Sequence, residues 1–138
     1  MSKKDLNVQK LKNLNLNNKT SLIYSNFKSQ LEKFIKKKTF LVAVSGGPDS
    51  LALTALSHSY LHEKRSKVFF VLIDHRIRTN SSKEANAVKA LLKKKGINLT
   101  ILRNKEKINK NVQSHAREVR YKLLLNFCNK YKIKSILT

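Results

Sequence analysis

Ser45-Gly46-Gly47-Pro48-Asp49-Ser50 holds two of the three glycines and the only proline in a chain of 138 residues. Before it runs Phe40-Leu41-Val42-Ala43-Val44, a short, partly β-branched apolar run that reads as a buried strand. After it, Leu51-Ala52-Leu53-Thr54-Ala55-Leu56 and the residues through Leu61 read as a helix. A strand, a tight glycine turn and a helix start suit an anion such as phosphate. Glycine lets the backbone turn sharply and lets an anion reach its N–H groups. The helix start adds unpaired donors and the positive end of the dipole. Ser45 and Ser50 add hydroxyls, and Pro48 fits a first helical turn, where its missing N–H costs nothing. No Gly-Lys-Ser/Thr follows at Walker A spacing, and Gly-x-Gly-x-x-Gly cannot be drawn here. The alternative is an ordinary strand-to-helix turn, since Gly-Gly-Pro-Asp is common turn chemistry.

Working outward, the length suits one domain with one core. Lys and Arg number 30 against 8 Asp and Glu, a formal net charge of +22. Such an imbalance points to a polyanionic partner, most often nucleic acid. The competing explanation is biased composition, because Lys, Asn and Ile are abundant as in an AT-rich genome. The single cysteine, Cys128, excludes an internal disulfide and a cysteine-based zinc cage, and its apolar setting predicts a core position. No apolar run approaches membrane-spanning length, and the N-terminus has no secretory apolar region. A soluble intracellular protein, with no membrane partner, is therefore expected.

Residues 1–20, rich in Lys and Asn, predict a flexible basic arm, with a domain over 21–138. Leu22, Ile23, Phe27, Leu31, Phe34 and Ile35 fall at helical spacing and predict a helix beside the first strand. Lys36, Lys37 and Lys38 follow at its C-terminal end. A second strand is predicted over Val68 to Ile73, ending in Asp74-His75-Arg76-Ile77-Arg78. Ser81 with Glu84 predicts a capping box and a helix from Ser82, closed by Gly96. Ile97 to Leu102 reads as a third strand. Asn111 reads as the N-cap of a helix through about Tyr131, with Val112, Ala116, Val119, Leu123 and Phe127 on one side. Ser135 to Thr138 begins a fourth strand. The alternation predicts an α/β fold, an open parallel sheet with helices on both faces. Ligands of such sheets bind beyond the strand carboxyl ends. The Ser45–Ser50 loop and Asp74–Arg78 are therefore expected on one rim.

Ser-Gly-Gly-x-Asp-Ser after a strand is similar to the PP-loop of the N-type ATP pyrophosphatases. Three stretches narrow the likeness. They are Leu41 to Ser50, then Asp74 to Arg78 with Ser81 and Glu84, then Asn111-Val112-Gln113 with Ala116-Arg117 and Arg120-Tyr121. Together they resemble the N-terminal catalytic domain of tRNA(Ile)-lysidine synthetase, from about residue 25 to the last. The resemblance implies a Rossmann-like PP-loop ATPase fold and an ATP-dependent ligase. That family joins lysine to C2 of the wobble cytidine of an isoleucine tRNA (CAU anticodon). It does so through an adenylated tRNA, with pyrophosphate and then AMP leaving. Implied partners are isoleucine tRNA and L-lysine, and implied cofactors are ATP and Mg²⁺. The expected compartment, given a composition that suits a small AT-rich genome, is a bacterial cytoplasm or a plastid stroma.

By that resemblance the ATP phosphates lie on Ser45, Gly46, Gly47, Pro48, Asp49 and Ser50. A carboxylate beside a triphosphate makes sense as a Mg²⁺ ligand, so Asp49 is the candidate metal ligand and, with Asp74, a candidate catalytic residue. Asp74 and His75, at a strand end, are candidates to hold the nucleotide or the lysine. Arg78, Arg117 and Arg120 are candidates for phosphate or tRNA contact, Arg117 and Arg120 sharing a helix face at i and i+3. Two departures stand out. The family usually carries Gly where this chain has Arg76, which bears on the backbone shape after His75. The family also continues past the fourth strand with a His- and Asp-rich segment and tRNA-gripping domains. The expectation is a domain incomplete at its C-terminus that binds ATP weakly and makes no lysidine alone. A complementary C-terminal polypeptide or a homodimer would be its partner. The rival readings are another PP-loop tRNA-modifying enzyme, such as a thiolase, and an inactive basic RNA-binding fragment.

Overall fold

A computed structural model describes residues 18–35 and 39–138. The arm expected over 1–20 lies outside these residues up to 17, as do Lys36, Lys37 and Lys38. Residues 18–20 already belong to the first helix. The elements are α1 (Asn18–Phe34), β1 (Thr39–Val44), α2 (Pro48–Lys64), β2 (Lys67–Asp74), α3 (Ser81–Lys94), β3 (Leu99–Arg103), α4 (Val112–Tyr131) and β4 (Ile136–Leu137).

All strands pair in parallel, in the order β3-β2-β1-β4. This is the open, doubly covered sheet that the alternation predicts. Strand pleating sorts the side chains into two cores. Phe40, Val42, Val44, Phe70, Leu72 and Leu99 face Leu31 of α1, Tyr60 of α2, and Ala85 and Leu92 of α3. Leu41, Ala43 and Val71 face Leu124 and Cys128 of α4. Cys128 is thus a core residue as expected, and burial pushes its thiol pKa up.

Three local readings are corrected. First, α1 leans on α2 more than on β1. Tyr24 and Lys28 bond Glu63, Lys64 pairs with Glu32, and Leu22, Ile23 and Phe34 of the expected apolar face are exposed. Second, the Ser81–Glu84 capping box does not form. The cap is Asn80, without a side-chain bond, and the Ser81 hydroxyl accepts from the Arg78 N–H at 3.1 Å. The Glu84 carboxylate turns to Arg78 instead, also at 3.1 Å. An arginine two turns of chain away outcompetes a backbone N–H because its bond is charge-assisted. Third, Asn111 precedes α4 as predicted but sits at φ 47° and makes no side-chain cap. The buried side of α4 runs through Val119, Leu124 and Cys128, while Val112 is exposed. At the end of α3, Gly96 is left-handed, and the Gly96 and Ile97 N–H groups close onto Lys93 and Leu92 carbonyls.

Candidate functional site

β1 and β2 run in register, Val44 opposite Leu72, so the segments that follow them emerge on one rim. Between them lies a cavity of about 300 Å³. Ser45 borders it from the β1 side, and Asp74, His75, Arg78 and Ser81 from the β2 side. Val88 of α3 and Arg120 of α4 close it. The order of strands reverses between β1 and β4, so the cavity opens one strand away from the switch point. The rim assignment stands, with that shift in position.

The Ser45–Ser50 loop is folded on itself. The Ser45 N–H donates to the Ser50 hydroxyl at 2.7 Å, and the Gly47 N–H to the Ser45 hydroxyl at 3.4 Å. Each hydroxyl accepts from the loop and keeps its own proton to donate outward. Pro48 occupies the first turn of α2, as predicted, and Leu51 N–H closes that turn on the Gly47 carbonyl. Asp49 is exposed in the same turn. Gly46 sits at φ +87°, and a Cβ built there would lie 2.9 Å from Val88 Cγ2. Both conditions demand glycine. Val88 is β-branched and stiff, so it gives way poorly. Gly46→Ala is expected to cost roughly 1–2 kcal/mol of stability from the left-handed backbone alone. Val88→Ala added to it should restore only the steric part, as denaturant melts of the two variants would read.

Asp74 is buried, 2% exposed, at the end of β2. One carboxylate oxygen accepts from the Arg76 N–H at 3.0 Å and the other from the Ser82 hydroxyl at 2.7 Å. Arg103 Nε stands 3.8 Å away. Both oxygens are therefore engaged by the chain itself, and Asp74 shapes the turn after β2. That turn puts Arg76 at φ 54°. A non-glycine residue there carries strain, which the Asp74 bond helps to hold. Arg76→Gly should stabilise the fold by about 0.5–1 kcal/mol, after the entropy that glycine adds to the unfolded chain is subtracted. A lowered denaturation midpoint would contradict this.

His75 is half-buried, and its Nδ1 has no hydrogen-bond partner. Burial first, then the Arg120 charge, lower its pKa, against the opposing pull of Asp74. The ring is thus held neutral at the cavity wall. Its backbone carbonyl lies 3.5 Å from the Nδ2 of Asn104, a buried residue that also bonds Glu106 at both ends of its amide. Arg78 reaches the cavity rim while paired with Glu84. The two arginines of α4 part company. Arg120 lines the cavity, whereas Arg117 is exposed and lies over its own Tyr121 ring at 5.2 Å. The cavity wall thus carries the Arg120 guanidinium and the Ser45 and Ser81 hydroxyls, while its carboxylates, Asp74 and Glu84, already have partners, which favours an anionic ligand.

The family described as PP-loop domain matches residues 20–138. The chain belongs to the PP-loop family. Its relatives include proteins named tRNA(Ile)-lysidine synthase. The one from Wolbachia pipientis wMel is 36% identical over 99 residues, covering 70% of this chain and 23% of that protein. The one from Orientia tsutsugamushi is 33% identical over 106 residues, 76% of this chain and 24% of that protein. The one from Rickettsia typhi is 28% identical over 123 residues, 85% and 28%. The chain spans about a quarter of the length of these curated relatives. Among solved structures, the U34-tRNA thiolase NcsA from Methanococcus maripaludis, with its [4Fe-4S] cluster, superposes with a TM-score of 0.59 at 19% identity. The match covers 75% of this chain and 39% of that one, and it supports the fold.

Within this PP-loop domain the sequence reading missed Val88, Ser82 and Asn104. Val88 is legible only as a helix-face residue, and its contact with Gly46 crosses from one βα unit to the next. Ser82, half-buried, and Asn104, buried, are polar residues that bond Asp74 and the His75 carbonyl at the end of β2. Among the described residues no helix is long and apolar enough to cross a membrane.

Proposed function

We infer that the chain is the ATP-binding portion of a tRNA(Ile)-lysidine synthase. The observation that carries this is the convergence of Ser45, the first residue of the glycine turn, with His75, Arg78 and Arg120 around one cavity, in a chain whose relatives bear that name. The reaction is adenylation of the C2 oxygen of the wobble cytidine with loss of pyrophosphate. The lysine amine then displaces AMP. Ser45 and Ser50 hold the phosphates through their hydroxyl protons, with the Gly46 backbone and the N–H groups at the start of α2 beside them, and the Gly47 N–H joins once it leaves its long bond to the Ser45 hydroxyl. Arg120 and Arg78 balance the charge of the leaving pyrophosphate. His75, neutral, offers a hydrogen-bonding nitrogen to the nucleotide or the lysine. Asp74 acts through the turn it holds, as a positioning residue. Arg117 is available to tRNA on the outer surface of α4.

Asp49 fits a magnesium ion. Mg²⁺ binds through one or two carboxylates plus substrate phosphates and keeps several waters. Asp49 is exposed within the loop, in the first turn of α2. The ion would supply charge neutralisation on the phosphates. Asp49→Asn should therefore weaken ATP binding about tenfold or more with Mg²⁺ present, the worth of one contact to a charged group. It should change little in chelator. Equal losses in both titrations would remove Asp49 from the metal.

The deciding experiment is mass analysis of isoleucine tRNA from cells with and without this chain. Loss of the lysine mass on the wobble cytidine is expected. Unchanged lysidine would overturn the reading. Loss of sulfur at a wobble uridine would point to a thiolase, which the lone buried Cys128 argues against, since iron–sulfur clusters are held by several thiolates.

A further inference from the structure

His58 and His62 lie one turn apart on α2, and their Nε2 atoms stand 3.0 Å from each other. The ring centroids are 4.4 Å apart, with the planes nearly perpendicular at 89°. The nitrogens are therefore closer than the rings, so the two side chains converge on a point at their Nε2 ends. We propose that this pair is a two-imidazole site for a borderline transition-metal dication such as Zn²⁺, Ni²⁺ or Cu²⁺.

The distance supports it. Two nitrogens about 2.0–2.1 Å from one zinc stand roughly 2.9 Å apart at a right angle and about 3.3 Å apart at the tetrahedral angle. The observed separation falls between these values, so the ion needs no change of rotamer. Histidines at i and i+4 on a helix are a metal-binding spacing for that reason. Imidazole selects zinc, nickel and copper, whereas magnesium prefers oxygen. The site is therefore chemically separate from the one assigned to Asp49, and it lies roughly 15 Å along the helix from the Ser45–Ser50 loop. His58 also packs near the Phe70 ring, with centroids 6.5 Å apart, which restricts its motion. The neighbouring acid, Glu63, is occupied by Lys28 and Tyr24 of α1. Among the described residues no third His, Cys, Asp or Glu completes a cluster of three with the pair. The ion would replace the bond between the two rings and clamp one turn of the helix whose first turn carries the loop.

The test is titration of the full chain with NiCl₂, ZnCl₂ and MgCl₂, read by calorimetry and native mass spectrometry. One nickel or zinc per chain and no magnesium at this site are expected. His58→Gln and His62→Gln should each weaken nickel binding at least tenfold, while His115→Gln, made as a control on another element, should not. Circular dichroism confirms that each variant is folded. In the wild type, zinc should shift the ring resonances of His58 and His62 together and raise the unfolding midpoint. Nickel binding that survives both substitutions, or no binding by the wild type, overturns the proposal and leaves the pair as a hydrogen bond.

Discussion

Asp74→Ala is expected to destabilise the protein by about 2–4 kcal/mol, since hydrogen bonds to a charged group contribute roughly 1.5–3 kcal/mol each. The carboxylate is buried, and its two oxygens serve two different partners. Removing it strands the Ser82 hydroxyl and the Arg76 N–H at the base of a turn already bent into the left-handed region. Its pairing with Arg103 adds little, because that guanidinium is half-exposed and 3.8 Å away, where solvent screens it. Asp74→Asn should therefore recover much of the loss. Its oxygen can still accept from Arg76, and its amide can donate to Ser82 once that hydroxyl rotates. Chemical denaturation of the two variants reads the difference. If Asn proves as damaging as Ala, the carboxylate's charge is doing something these hydrogen bonds do not account for, such as meeting a ligand.

Binding of tRNA should fall roughly 10³-fold or more between about 50 and 200 mM salt, the response of a protein that neutralises several phosphates. The formal charge of +22 motivates this. The structure adds that five of the eight acids are spent internally: Glu32, Glu63, Asp74, Glu84 and Glu106 pair with cations of the same chain. Exposed lysines on α3, among them Lys83, Lys89, Lys93 and Lys94, are left to face an external anion. A flat salt response would mean that the lysines reflect composition and not a binding surface.

The fold was legible because its punctuation is sparse. With three glycines and one proline in the chain, a turn holding Gly46, Gly47 and Pro48 between an apolar run and a helical pattern leaves few readings. The parallel pairing followed from strand–helix alternation, whereas the order β3-β2-β1-β4 did not. What the sequence hid were choices made by distant partners. Asp74 at a strand end looks like a ligand holder. That it faces inward depends on Ser82, eight residues on, and on the backbone at Arg76. Arg117 and Arg120 are equivalent by spacing. The phase of α4, set by burial of Val119, Leu124 and Cys128 against the sheet, sends Arg120 to the cavity and leaves Arg117 outside. Ser81 and Glu84 have capping-box spacing, but Arg78 takes the carboxylate.

The cavity wall draws on both layers of the molecule. Val88 comes from the helices packed on one side of the sheet, and Arg120 comes from α4 on the other, each anchored in its own apolar core. An anion seated there touches side chains that otherwise communicate only through the strands between them. An occupant there would act as a rivet at the rim, bridging the α3 layer and the α4 layer beyond the strand ends.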